Sequence, residues 1–132
     1  MNIYEQQPSV AATTKTLRGY VTYICLEPRK LTKAERKANE IPDKELDENG
    51  NEIKKEAWTA HVAVYRHDEP LTEADYGPIV SAIIRSRYTA DDVEAIINNY
   101  VAEHNEEHSR EFEALQSWRA MAKTAARIAI GK

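Results

Sequence analysis

The sequence predicts an α+β fold: an N-terminal antiparallel strand pair with a charged excursion, followed by a helical C-terminal half. Three observations carry that expectation. Residues 17–26 and 58–66 are rich in β-branched and aromatic side chains and alternate at strand period. Residues 89–130 instead repeat apolar side chains every three or four positions, as one face of a helix does. Between the two strands, residues 27–57 hold 9 acids and 8 bases. That stretch is too polar for a packed crossover helix, so the strands are expected to pair antiparallel around an insertion.

Taken in order, residues 1–132 are expected to form a single domain. Residues 1–13 are polar, contain Pro8 and small side chains, and read as a loosely held arm. Residues 14–66 form the hairpin, with 27–57 as its insertion. Within the insertion, Thr32-Lys-Ala-Glu35 is a capping-box pattern that starts a short helix ending near Asn39. Asn49-Gly50 lies between residues suited to a small hairpin. Helices occupy 72–130. Thr72-Glu-Ala-Asp75 is a capped turn, and Gly77-Pro78 puts proline in the first turn of a segment carrying Ile79, Val80, Ala82, Ile83 and Ile84. Periodicity alone leaves that segment open between helix and buried strand. Thr89 caps the next helix, acids follow in its first turn, and Asn98, Asn99 or His104-Asn105 are candidate breaks. Gly131 closes the run.

Composition narrows the classes of function. Apolar residues make up 42% of the chain and charged residues 30%, with a net charge of −4. The chain is therefore a folded protein with a heavily charged surface rather than a disordered or membrane-embedded one. There is no run of 18 apolar residues and no signal-peptide pattern at the start. Cys25 is the only cysteine and has no disulfide partner, which points to a reducing, cytoplasmic setting. The charges are also segregated. Residues 67–113 contain 12 acids against Arg85, Arg87 and Arg110, whereas residues 114–132 contain Arg119, Lys123, Arg127 and Lys132 and no acid. Acids near helix starts and bases near ends suit the helix dipole. The same asymmetry would suit an acidic surface meeting a basic one across an interface.

Four groups of residues are candidates for a site. Arg29, Lys30, Lys33, Arg36 and Lys37 form a basic patch at the start of the excursion, suited to contact with a partner or a nucleic acid. Phe112, Leu115, Trp118 and Ala122 form an apolar stripe suited to a core or an interface. His104-Asn-Glu-Glu-His108 matches the H-x-x-E-H pattern and so resembles the inverted zincins. On an unbroken helix His104 and His108 share a face and can hold Zn²⁺, with Glu107 as base and Glu111 as a third ligand. Ile83 and Ile84, a turn near Arg87-Tyr88, the Thr89 cap and Val93 in the next helix give a pair of helices with a short connection. That spacing resembles the helix-turn-helix DNA-binding proteins and the dimerising helices of histone-like HU proteins. Asp91, Asp92 and Glu94, however, would face a phosphate backbone at the start of the second helix.

No phosphate-cradling glycine cluster is present, Cys25 has no His or cation nearby in sequence, and His61 and His67, flanking Tyr65, are expected to pack in the core or at its edge. The expectation is therefore a non-catalytic interaction or assembly protein that needs no cofactor. The apolar stripes look too large for two strands to cover, which favours a homo-oligomer. A second protein, or a nucleic acid held by the basic arm, is the alternative partner; a zinc-dependent hydrolase is the remote one. The charge-rich helical style is common among phage and mobile-element products, a matter of composition only.

Overall fold

A computed structural model describes all of residues 1–132. It has antiparallel strands in the N-terminal half and helices in the C-terminal half, an α+β arrangement. No helix is long and apolar enough to cross a membrane. The chain divides into two compact units. One comprises Met1–Ser9 with Cys25–His61, and the other Val10–Ile24 with Val62–Lys132.

Five strands are present: β1 (Ala11–Thr16), β2 (Gly19–Lys30), β3 (Lys44–Leu46), β4 (Glu52–Lys54) and β5 (Trp58–His67). The main sheet has the order β1-β2-β5, and β3 and β4 form a separate two-stranded sheet. β1 was not anticipated. It pairs antiparallel with β2, from Ala11 opposite Ile24 to Thr16 opposite Gly19. Leu17, expected to begin a strand, lies in the connecting turn and is fully exposed, and β2 runs four residues beyond the expected end at Leu26. Near the beginning of the chain an isolated bridge joins Tyr4 to Trp58. Tyr4 and Trp58 exchange two backbone hydrogen bonds, Tyr4 N to Trp58 O at 2.9 Å and Trp58 N to Tyr4 O at 2.8 Å.

The charged excursion is built from local signals. Helix α1 (Lys33–Ala38) begins on a complete capping box. Glu35 N donates to Thr32 Oγ1 at 3.2 Å, and Thr32 N donates to Glu35 Oε1 at 2.9 Å. In the β3–β4 turn, the Asp47 carboxylate accepts from Asn49 N at 2.9 Å and Asn51 N at 2.8 Å. Gly50 sits there at φ 80°, where glycine has no Cβ to clash. Leu31 and Ala57, both buried, close the base of the excursion, and Leu31 N donates to Ala57 O at 2.9 Å.

The helical unit has α2 (Tyr76–Arg85), α3 (Ala90–Ala102) and α4 (Glu106–Ala129), preceded by a 3-10 turn at Glu73–Asp75. The ambiguous segment is thus a helix, with Ile79 and Ile83 on its buried face. The expected break falls at 103–105, where the Asn105 side chain caps α4 by accepting from His108 N at 2.7 Å. Leu115, Trp118, Ala122, Ala125 and Ala126 of α4 are buried, and α4 packs on α2, α3 and β1. Their spacing of three, four, three and one makes a narrow buried stripe along α4. Phe112 is half-buried and stacks on Tyr100 with ring centroids 4.1 Å apart. Val101, placed in the apolar stripe by periodicity, is 72% exposed.

Candidate functional site

The cationic residues of the excursion gather around a groove of about 350 Å³ formed by α1, β3, β4 and the chain leading into β5. Lys30, Lys33, Arg36, Lys44, Lys54 and Lys55 line it, Leu31 and Ala57 supply apolar walls, and Asp43 and Glu56 are its acids. Arg36 is a strut. Its side chain is only 13% exposed, Nη2 donates to the carbonyls of Pro42 and Lys55, and Nε forms an ion pair 3.3 Å from Asp43 without hydrogen-bond geometry. One guanidinium thus ties α1 to the bend before β3 and to the end of β4.

Most of the other cations are partly compensated. Lys30 lies 3.6 Å from Glu56 and above the Trp58 ring, Lys44 is 3.4 Å from Glu52, and Lys55 is 3.3 Å from Glu45. These pairs are exposed and contribute little individually. Lys33 and Lys54 have no acidic partner in the structure. Lys44 and Lys54 also face each other in the β3–β4 register, and like charges directly opposite on an antiparallel pair destabilise it. Two like charges therefore meet on the hairpin, one of them, Lys44, paired with Glu52.

Of the five basic residues expected to act together, Lys30, Lys33 and Arg36 meet in the groove. Arg29 does not. Its guanidinium is held by both carboxylate oxygens of Glu35, at 2.7 and 3.0 Å, locking α1 onto β2. That contact, with the capping hydrogen bonds of Thr32, lowers the Glu35 carboxyl to about 2. Lys37 points elsewhere on α1 and does not line the groove. Lys44, Lys54 and Lys55 were missed. The Asn-Gly turn gave the hairpin, but only its register shows which lysines face one another.

The structure contradicts the premise of the zinc reading. His104 lies in the linker and His108 in the first turn of α4, so they share no helical face. His104 stacks on Tyr100, and His108 Nδ1 donates to Glu103 O at 2.9 Å. Glu107 and Glu111 lie on α4 without joining them, and no group of three His, Cys, Asp or Glu side chains comes together to hold a metal ion. Helix α3 ends at Glu103, whose backbone is extended, and Asn105 caps α4.

A second polar cluster surrounds His67. Its ring is stacked between Tyr20 and Tyr65, with centroids 5.6 and 5.3 Å away. Nδ1 donates to Glu69 O at 2.6 Å, since a carbonyl oxygen can only accept. Nε2 and the Thr22 hydroxyl are hydrogen-bonded at 2.8 Å, as are the Thr22 and Thr13 hydroxyls at 2.8 Å. Tyr65 donates to Asp75 at 2.8 Å; burial first, and that bond second, push its phenol up to about 12. Asp75 is held below the usual carboxylate range, chiefly by the Thr72 backbone N–H and then by Tyr65. This network joins β1, β2, β5 and the 3-10 turn.

A lowered carboxyl contributes stability that is complete above its unfolded value, about 3.9, and lost as pH falls through the folded value. Asp75→Asn should therefore flatten the acid limb of the melting curve below about pH 4. Equal acid sensitivity in variant and wild type would contradict this role. A search of family models, curated proteins and solved structures finds no match to this chain.

Proposed function

We propose that the chain is a non-catalytic interaction protein, and that the groove between α1 and the β3–β4 hairpin receives an acidic segment of a partner protein. The observation that carries this reading is the convergence of six cationic side chains on one groove, two of them uncompensated and two placed face to face. The aliphatic stems of the lysines, with Leu31 and Ala57, give the groove apolar walls beneath its charged rim. Such a surface suits carboxylates carried on a peptide, which supplies apolar side chains as well as charge. Asp43 and Glu56 in the same groove, and the net charge of −4, disfavour a phosphate backbone, which calls for an uninterrupted row of cations.

Self-association loses the support expected for it, because Leu115, Trp118 and Ala122 are buried within the chain and Phe112 stacks on Tyr100. A second copy is therefore one partner among others and has no privileged claim.

The test uses fluorescence anisotropy with a labelled hexaglutamate peptide at low salt. Binding should weaken as salt rises and fall about tenfold or more in Lys33→Glu/Lys54→Glu. Unchanged affinity in that variant would remove the groove from the account. Tighter binding to duplex DNA than to the peptide would make nucleic acid the partner instead.

A further inference from the structure

A second depression, of about 210 Å³, lies in the helical unit where α2, the α2–α3 turn and α4 meet. Its apolar lining is Ile84, Tyr88 and Val93, all half-buried, and two arginines, Arg85 and Arg119, border it. Neither arginine forms an ion pair, and sequence position explains why. Three and four residues from Arg85 on its helix side are Ala82 and Ser81; around Arg119 they are Gln116, Leu115, Ala122 and Lys123. No acid occupies a position from which it could compensate either charge along the helix. A third guanidinium, that of Arg87, lies 3.8 Å above the Trp118 ring in the same unit. The acids at the start of α3 do not line the depression: α3 contributes Ala90 and Val93, not Asp91, Asp92 or Glu94. Asp92 is engaged in the cap, accepting from Thr89 N at 2.9 Å.

Two unpaired guanidiniums beside an apolar hollow define a chemistry, because planar guanidinium groups recognise carboxylates in fork geometry. We infer that this depression binds a small organic acid, a carboxylate on a compact apolar body that rests against Ile84, Tyr88 and Val93. Its volume is below that of most drug-sized sites, which sets the ligand at the size of a single ring or short branched chain. The site lies apart in sequence and unit from the groove of the excursion and does not depend on that reading.

The experiment titrates the full chain with phenylacetate and follows backbone amide shifts. Saturable shifts should appear at Ser81, Tyr88 and Val93. Phenylacetamide, which keeps the ring and loses the charge, should bind about tenfold more weakly or less, and inorganic phosphate, which keeps charge without the ring, should also be weaker. Arg85→Gln and Arg119→Gln should each weaken phenylacetate by a similar factor while melting as the wild type does, and Lys123→Gln should leave it unchanged. Equal affinity for phenylacetamide on the wild type, or no saturable shift with phenylacetate, would overturn the inference without reliance on any variant. Full affinity in either arginine variant would also overturn it.

Discussion

Trp118→Ala should be among the most damaging single substitutions in the chain, at a cost of about 3–5 kcal/mol. The indole is 2% exposed and sits in the α4 face that packs on α2, beside Leu115 and Ala122. Its Nε1 donates to Ile83 O at 3.1 Å, and the Arg87 guanidinium covers one ring face. Truncation to alanine empties a large volume in a part of the core shared with Ile79, Ile83, Leu115 and Ala122. Neighbours fixed on two helices can collapse only partly into such a space, so the cavity term adds to the lost burial. Denaturant unfolding measures the loss. A change within the roughly 0.5 kcal/mol typical of surface positions would mean that α4 does not present this face to α2.

Gly19→Ala should also destabilise the fold strongly, for a reason that has nothing to do with burial. Gly19 opens β2 at φ 131°, a region that side chains with a Cβ rarely enter and that costs about 1–3 kcal/mol. An added Cβ would lie 2.7 Å from His67 O and 3.2 Å from Asp68 Cα, both backbone atoms that cannot swing away. The clash therefore adds to the conformational cost and falls on the end of β5 that holds the His67 ring. Thermal melting should show the loss, with backbone amide shifts concentrated at His67 and Asp68. A neutral substitution would show that the β1–β2 turn and β5 do not approach each other as described.

Where a local signal suffices, residues announce their structure. The Thr32–Glu35, Thr72–Asp75 and Thr89–Asp92 capping pairs all start helical segments, and Asn49-Gly50 turns a hairpin, because each depends on atoms within four residues. β1 was illegible for the opposite reason. Ala-Ala-Thr-Thr-Lys-Thr is exposed at nearly every position, so no alternation marks it, and backbone pairing with β2 defines it. The H-x-x-E-H pattern misled because Asn105 has two readings, a helix interior position or a cap, and the letters do not distinguish them. The α4 stripe reads as core or interface, and periodicity does not decide between the two. Counting strands did not reveal that α2 and β1 already meet it.

The groove shows the same division between local and distant information. Lys30, Lys33 and Arg36 were legible as a cluster because they are close in sequence. Arg29 belonged to that cluster on paper yet is consumed by Glu35, a pairing across six residues that depends on the angle between β2 and α1. Lys44, Lys54 and Lys55 join only through the hairpin register and the reach of Arg36 to Pro42 and Lys55.

The most direct measurement of the central claim is an amide-shift titration of the isotopically labelled chain with hexaglutamate. The account predicts saturable changes confined to residues around the groove, at Lys30, Leu31, Lys33, Lys54, Lys55 and Ala57, that disappear in Lys33→Glu/Lys54→Glu. Changes centred on α3 and α4, or none at all at low salt, would contradict it.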